Sequence, residues 1–149
     1  MTSGKLFLLF VFGIFWSPLY AQNISQCESL KQFLNFPEVI ASFHLNEKND
    51  SLILIDKNNS FARDCQVLFW KNKDVVVAFD PVEIEKIKSK DPYIVYKDNC
   101  KVFILSGYSK TKTVHSFSIL QPCSNLLTEG KMKVVDGKYK LVAIKKYVL

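Results

Sequence analysis

The first apolar run of the chain predicts a signal peptide. Lys5 precedes an unbroken apolar stretch at residues 6–16. This stretch is too short to cross the hydrocarbon core of a membrane, but it is typical of the apolar region of a secretory leader. Ala21 supplies a small residue before a cleavage site. We therefore predict a signal peptide over 1–21 and a single secreted, β-rich domain over 22–149.

A short amphipathic helix is predicted at the start of this domain. Ser25 and Glu28 have the spacing of a capping box, apolar residues from Leu30 to Leu34 repeat at helical spacing, and Pro37 ends the pattern. A second helix of about two turns is expected after Asp80, because a proline at the first helical position and an acidic residue follow it.

The rest of the domain has a residue composition typical of β-strands. β-Branched and aromatic residues occur in runs that Asn, Asp, Lys and Gly separate, and Asp136-Gly137 is typical of a hairpin turn. Sequential hairpins predict an antiparallel meander. The predicted strands lie at residues 38–46, 51–56, 63–71, 74–80, 92–97, 100–107, 112–121, 131–136 and 138–148.

Strands in the middle of the chain are apolar on both faces. Val102 and Ile104 alternate with Phe103 and Leu105, so each face of that strand carries large apolar side chains. A sheet with one wet side alternates polar and apolar residues instead. We therefore expect cover on both faces of this part of the sheet, or an apolar patch that binds a ligand or partner.

Cysteine usage agrees with secretion. All four cysteines, Cys27, Cys65, Cys100 and Cys123, follow the leader. An even number in a secreted chain favours two disulfides, and the sequence leaves three pairings open. We expect Cys27 to pair with Cys123 and Cys65 with Cys100. No Cys-x-x-Cys pair exists and the two histidines are not at ligand spacing, so we expect no metal and no cofactor.

Three sequons fit a secretory route. They read Asn23-Ile24-Ser25, Asn49-Asp50-Ser51 and Asn58-Asn59-Ser60, and they predict glycosylation at Asn23, Asn49 and Asn58. Use of these sites requires that the stretches lie on the surface.

The charge balance is basic and consists almost wholly of lysine. The chain has 20 lysines and arginines against 14 acids, and Arg63 is its only arginine. Specific phosphate reading usually relies on the arginine fork, so we expect no nucleic-acid partner. Six lysines lie near the C-terminus, and they protect a sheet edge against aggregation or attract anionic surfaces. They are Lys131, Lys133, Lys138, Lys140, Lys145 and Lys146. Alternate spacing places Lys131 with Lys133, and Lys138 with Lys140, on one face of the strand pair.

No catalytic motif frames a nucleophile. The chain lacks a Gly-x-Ser-x-Gly elbow, and its glycines after the leader stand alone, which excludes a phosphate loop. We interpret His115 as a half-exposed strand residue. The sequence therefore predicts a non-enzymatic protein with no catalytic residues.

Two stretches resemble the later strands of insect and tick lipocalins. Residues 93–105 read YIVYKDNCKVFIL and residues 115–122 read HSFSILQP. A cysteine beside a short N-terminal helix, before a long meander, is similar to that family too. The Gly-x-Trp motif of lipocalins is absent, because the matching position reads Phe36-Pro37-Glu38-Val39. The resemblance implies a mainly β fold in which an antiparallel meander closes into a lipocalin-like (calycin) barrel after a short helix.

The alternative fold is α+β, a cystatin-like helix on a curved antiparallel sheet, although the Gln-x-Val-x-Gly inhibitory loop of cystatins is missing. In a lipocalin-like barrel, aromatic residues line the interior and hold an apolar ligand. We therefore expect a secreted carrier or scavenger of a small apolar molecule, without a membrane span. The alternative is an extracellular interaction module, such as an inhibitor or modulator of another protein. The predicted ligand-binding residues are Trp70, Phe79, Tyr93, Phe103 and Phe117.

Overall fold

The fold is mainly β, with two helices before the strands. The structure is a computed structural model that describes residues 26–45, 47–61, 65, 68–78, 85 and 95–149. The elements are α1 Gln26–Leu34, α2 Pro37–Ile40, β1 Ser51–Asp56, β2 Leu68–Trp70, β3 Lys73–Ala78, β4 Val102–Thr111, β5 Val114–Gln121, a 3-10 helix Pro122–Ser124, β6 Leu126–Val135 and β7 Lys138–Val148. The predicted signal peptide at 1–21 lies outside the described residues, as does the predicted helix after Asp80 except for Glu85, which is helical.

Seven strands form one curled mixed sheet, a half-barrel, in the order β2-β3-β1-β4-β5-β6-β7. From β4 to β7 the strands are antiparallel neighbours, as the predicted meander requires. The prediction also holds for β2 and β3, which are antiparallel, but it is wrong for β1, which pairs in parallel with both β3 and β4. Parallel strands are usually buried on both faces, and Leu52, Leu54 and Ile55 of β1 are all buried.

Helix α1 covers one face of the sheet, which we call the inner face. Leu30, Phe33 and Leu34 on this helix have no exposed surface, and the Phe33 ring stacks on Phe117 of β5 with ring centroids 4.4 Å apart. Opposite Phe117, β6 carries Gly130, where a Cβ would lie 2.6 Å from Cζ of Phe33. The helix therefore approaches the sheet closely at a residue without a side chain.

A second, smaller apolar cluster lies on the opposite, outer face. Ile55, Val102, Ile104 and Leu120 form it, and Tyr96 packs against it. Phe103 and Leu105 belong to the inner cluster, so the prediction of apolar residues on both faces of this strand is confirmed. The predicted strand at 92–97 is wrong where the structure describes it, since Val95 and Tyr96 are helical.

The other element predictions are confirmed in part: β2 spans Leu68–Trp70 within the predicted strand at 63–71, and β6 begins at Leu126, five residues before the predicted strand at 131–136. The N-terminal helix is confirmed as α1, the apolar runs at 51–56, 74–80, 100–107 and 112–121 form β1, β3, β4 and β5, and Asp136-Gly137 turns between β6 and β7 with φ of 51° and 71°. The predicted strand at 38–46 is wrong, because Pro37 begins α2 there and the chain then turns. Proline presets the helical φ, and a short apolar run does not distinguish strand from helix.

Both disulfides form, but not in the expected pairing. Cys27 bonds Cys65, with Cα atoms 5.2 Å apart, and Cys100 bonds Cys123, with Cα atoms 5.1 Å apart. The β4–β5 hairpin explains the second bond, because Cys100 precedes β4 and Cys123 follows β5 at the same end of the hairpin. Packing of α1 beside β2 explains the first, and the Asn35 side chain donates to the Phe69 carbonyl at 2.9 Å there.

Candidate functional site

The predicted ligand-binding aromatics lie in a packed core where the structure describes them. Trp70 and Phe103 are fully buried, with ring centroids 4.7 Å apart. Phe43 packs on both rings in edge-to-face geometry, and its ring centroid lies 5.0 Å from that of Trp70 and 5.7 Å from that of Phe103. Such contacts stabilise a core. These rings therefore pack against one another on the inner face.

Phe117 belongs to a neighbouring ring cluster. It stacks on Phe33, and Tyr108 lies 5.1 Å from it, centroid to centroid. Its side chain is 2% exposed. The other two predicted residues, Phe79 and Tyr93, lie outside the described residues.

A buried histidine adjoins this cluster. His115 is 2% exposed, in contrast to the half-exposed position expected for it. Its Nδ1 lies 3.1 Å from the Tyr108 hydroxyl, and the Tyr139 ring packs edge-on at 5.9 Å. Burial raises the pKa of Tyr108, so the phenol stays protonated at neutral pH. Burial also lowers the pKa of His115, and Lys110 lowers it further, so the imidazole is neutral.

This histidine group has the properties of a structural cluster. Catalysis by nucleophilic attack needs a hydroxyl or thiol whose proton the imidazole takes. The nearby Ser29 hydroxyl instead donates to the carbonyl oxygen of Gln26 at 2.6 Å. His115 and Tyr108 therefore share a hydrogen bond inside the core.

An open hollow lies on the outer face of β4–β7. Its volume is about 560 Å³, which is within the range of ligand sites in proteins. On β5, Ser116 and Ser118 alternate with Phe117, so their hydroxyls face outward where the Phe117 ring faces the core. The residues around the hollow are Gly107, Tyr108, Ser109, Ser116, Phe117, Ser118, Glu129, Gly130, Lys131, Ala143 and Lys145.

Small side chains make this part of the face concave. Gly107 pairs with Ser118, Ser109 with Ser116, and Lys131 with Ala143. Short side chains on β4, β5 and β7 leave a depression that larger residues would fill, and Glu129 and Lys131 of β6 border it. Toward the start of β4, the same face carries the apolar cluster that includes Ile104 and Leu120.

Four lysines continue the outer face beyond the hollow. Lys133 pairs directly with Lys140, and Lys131 and Lys138 lie on the same face two residues away along their strands. All four are exposed. The sequence-based placement of these lysines in pairs on one face is therefore confirmed. We call Lys131, Lys133, Lys138 and Lys140 the outer lysines.

The residues that form the hollow itself were not predicted from the sequence. Ser116 and Ser118 alternate with Phe117 and Ile119 inside a predicted strand, and this alternation was a signal for a polar outer face. Gly107 and Ala143 gave no comparable signal, because their importance depends on which strands lie side by side.

The predicted glycosylation sites have different environments. Asn49 is 9% exposed, whereas Asn58 is exposed at the end of β1 and donates to the Ser106 carbonyl at 3.4 Å. Asn23 lies outside the described residues. Asn58 is thus the more accessible of the two described acceptors.

Searches of the described residues for a metal site and for a membrane helix gave no candidates. They contain no group of three or more His, Cys, Asp or Glu that could hold a metal ion. Over the same part of the chain, no helix is long and apolar enough to cross a membrane. The two disulfides fit an extracellular protein.

No family model, curated protein or solved structure matches this chain.

Proposed function

We propose that this chain is a secreted, non-enzymatic binding protein that acts as an extracellular interaction module through the outer face of β4–β7. The outer hollow carries the proposal, because it is a concave, accessible site with serine hydroxyls inside it and charged side chains at its margin. The predicted signal peptide and the two disulfides support an extracellular location.

The alternative of a carrier for a small apolar molecule has less support. It requires aromatic side chains around an interior space, and Trp70, Phe103 and Phe117 pack on neighbouring rings instead. Closure of the sheet into a lipocalin-like barrel stays a prediction that an experimental structure covering residues 79–94 tests.

A titration followed by NMR tests the proposed surface. The isotope-labelled mature protein is titrated separately with a heparin hexasaccharide, a deca-glutamate peptide and oleate. We expect saturable shifts at the amides of Ser116, Ser118 and Lys131 with at least one polar probe, and an unchanged Trp70 indole signal with oleate.

Substitution in the hollow supplies the control. Ser118→Trp fills the hollow and should abolish those shifts, whereas Glu38→Trp adds the same ring at an exposed position on α2 and should preserve them. Saturable oleate shifts at the Trp70 indole, or the absence of outer-face shifts with every probe, would overturn the proposal.

A further inference from the structure

Resting on the proposed function, we propose that the outer hollow and the outer lysines together bind a linear anionic polysaccharide, one that carries sulfate or carboxylate groups along its chain. Lys131 belongs to both features, since it borders the hollow and lies two residues from Lys133. The hollow and the lysines are therefore one continuous surface.

The outer lysines concentrate uncompensated positive charge. Lys71 and Glu47 form an ion pair within 4.0 Å, far from this face in the strand order. Glu129 is the acidic residue at the hollow, and its partner across the strands is Lys145. The four outer lysines thus have no acidic partner within that distance in the described part of the chain.

Their arrangement is unfavourable for the sheet. Lys133 and Lys140 occupy directly opposite positions, where Cβ atoms in an antiparallel pair lie about 5 Å apart and like charges destabilise the pairing. Lys131 and Lys138 add charges about 7 Å along each strand. An anionic ligand relieves this repulsion, so the arrangement fits a surface that meets negative charge.

The hollow indicates which anion fits. Ser109, Ser116 and Ser118 can both donate and accept hydrogen bonds, as the hydroxyls of a sugar can. Sugar hydroxyls in the hollow and anionic groups over the outer lysines match the two halves of the surface. The regularly spaced charges of such a polysaccharide also match the lysines at alternate positions along β6 and β7.

Other occupants fit less well. An acidic peptide supplies carboxylates for the lysines but few hydroxyls for the serine-lined hollow. An anionic membrane requires apolar anchors that protrude, whereas this site is concave. A second copy paired along edge strand β7 would bring lysines of one strand close to lysines of the other.

Calorimetry with a heparin hexasaccharide tests the proposal on the mature protein at low salt. Lys133→Glu should weaken binding about tenfold or more, since it replaces an attractive charge by a repulsive one. The same substitution places a glutamate opposite Lys140 and so favours the strand pair, which separates loss of binding from loss of folding. The thermal midpoint should be unchanged or higher.

Two matched variants complete the experiment. Lys133→Arg keeps the charge and should bind within about threefold of the original protein. Lys101→Glu makes the same charge reversal at an exposed lysine just before β4, about 30 Å away along the ten residues of that strand, and should leave the affinity within twofold. Added salt should weaken binding, because these charges are solvent-exposed.

The outcomes separate this inference from the proposed function. If Lys133→Glu and Lys101→Glu reduce the affinity for the hexasaccharide equally, net charge alone attracts the ligand. That result overturns the inference. If deca-glutamate or phosphatidylglycerol vesicles bind the same residues more tightly than the hexasaccharide does, the polysaccharide is not the ligand. The proposal of an interaction surface on the outer face then still holds. Absence of any ligand shift on the outer face overturns both.

Discussion

Single residues decide how closely α1 and the sheet approach each other. Gly130 faces the Phe33 ring, and a Cβ at this position would overlap the ring. We expect Gly130→Ala to lower the free energy of unfolding by about 1–3 kcal/mol, because overpacking forces side chains or backbone to shift. Urea denaturation measures this change.

Gly107→Ala is the matched control for that substitution. Its Cβ would lie 3.4 Å from Cβ of Ser118, an ordinary contact. It should change stability by less than about 1 kcal/mol. Equal losses for the two variants would contradict the packing role of Gly130.

His115 gives the core a pH dependence at the residue scale. Its pKa is lowered in the folded protein, so the unfolded chain binds a proton first as the pH falls. Stability should therefore be full above the unfolded pKa, about 6.5, and decline as the pH falls below it. Thermal midpoints between pH 5 and pH 8 measure the slope, and His115→Gln should flatten it. An unchanged slope in that variant would assign the dependence to other groups.

Among the elements, the β6–β7 hairpin depends most on its turn. Asp136 and Gly137 both have positive φ, which matches the twist of a two-residue hairpin. The pair was identified from the sequence because such turns restrict residue type locally. The bulge between Lys131 and Met132 was not predicted from the sequence, since it arises where two long strands pair.

Gly137→Ala tests the turn. We expect a loss of about 1 kcal/mol in the free energy of unfolding, because a Cβ disfavours the left-handed conformation. Space is not the cause, since no atom lies within 4 Å of the added Cβ. Gly137→Asn should cost less, as asparagine tolerates this conformation. Chemical denaturation compares the two variants, and a larger loss for asparagine would refute the explanation.

At the scale of the whole molecule, the disulfides join segments that the sheet brings together. Cys27–Cys65 links α1 to the segment before β2, across 38 residues. Cys100–Cys123 closes 23 residues around the β4–β5 hairpin. Peptide mapping without reduction should recover these two pairs, and a Cys27–Cys123 peptide would contradict the fold described above.

Removal of Cys27–Cys65 should destabilise the whole domain. Chain-entropy estimates give a loss of about 3–4 kcal/mol for the double Cys→Ser variant. The corresponding Cys100–Cys123 variant should lose slightly less, because its loop is shorter. Denaturation of both double variants measures the difference, and an unchanged stability would contradict the prediction.

Features that depend on neighbours a few residues apart could be predicted from the sequence. These are α1, most strands, the Asp136-Gly137 turn, the two apolar faces of β4 and the common face of the outer lysines. Local propensity and side-chain periodicity act over that range.

The choice of strand partners depends on tertiary contacts instead. The parallel position of β1 between β3 and β4, the burial of His115, the disulfide pairing and the outer hollow all require residues distant in sequence to meet. Each depends on chain crossings and packing between elements, which alternation within a single strand does not encode. The hollow is the clearest case, because its short side chains come from β4, β5 and β7, which only the folded sheet brings together.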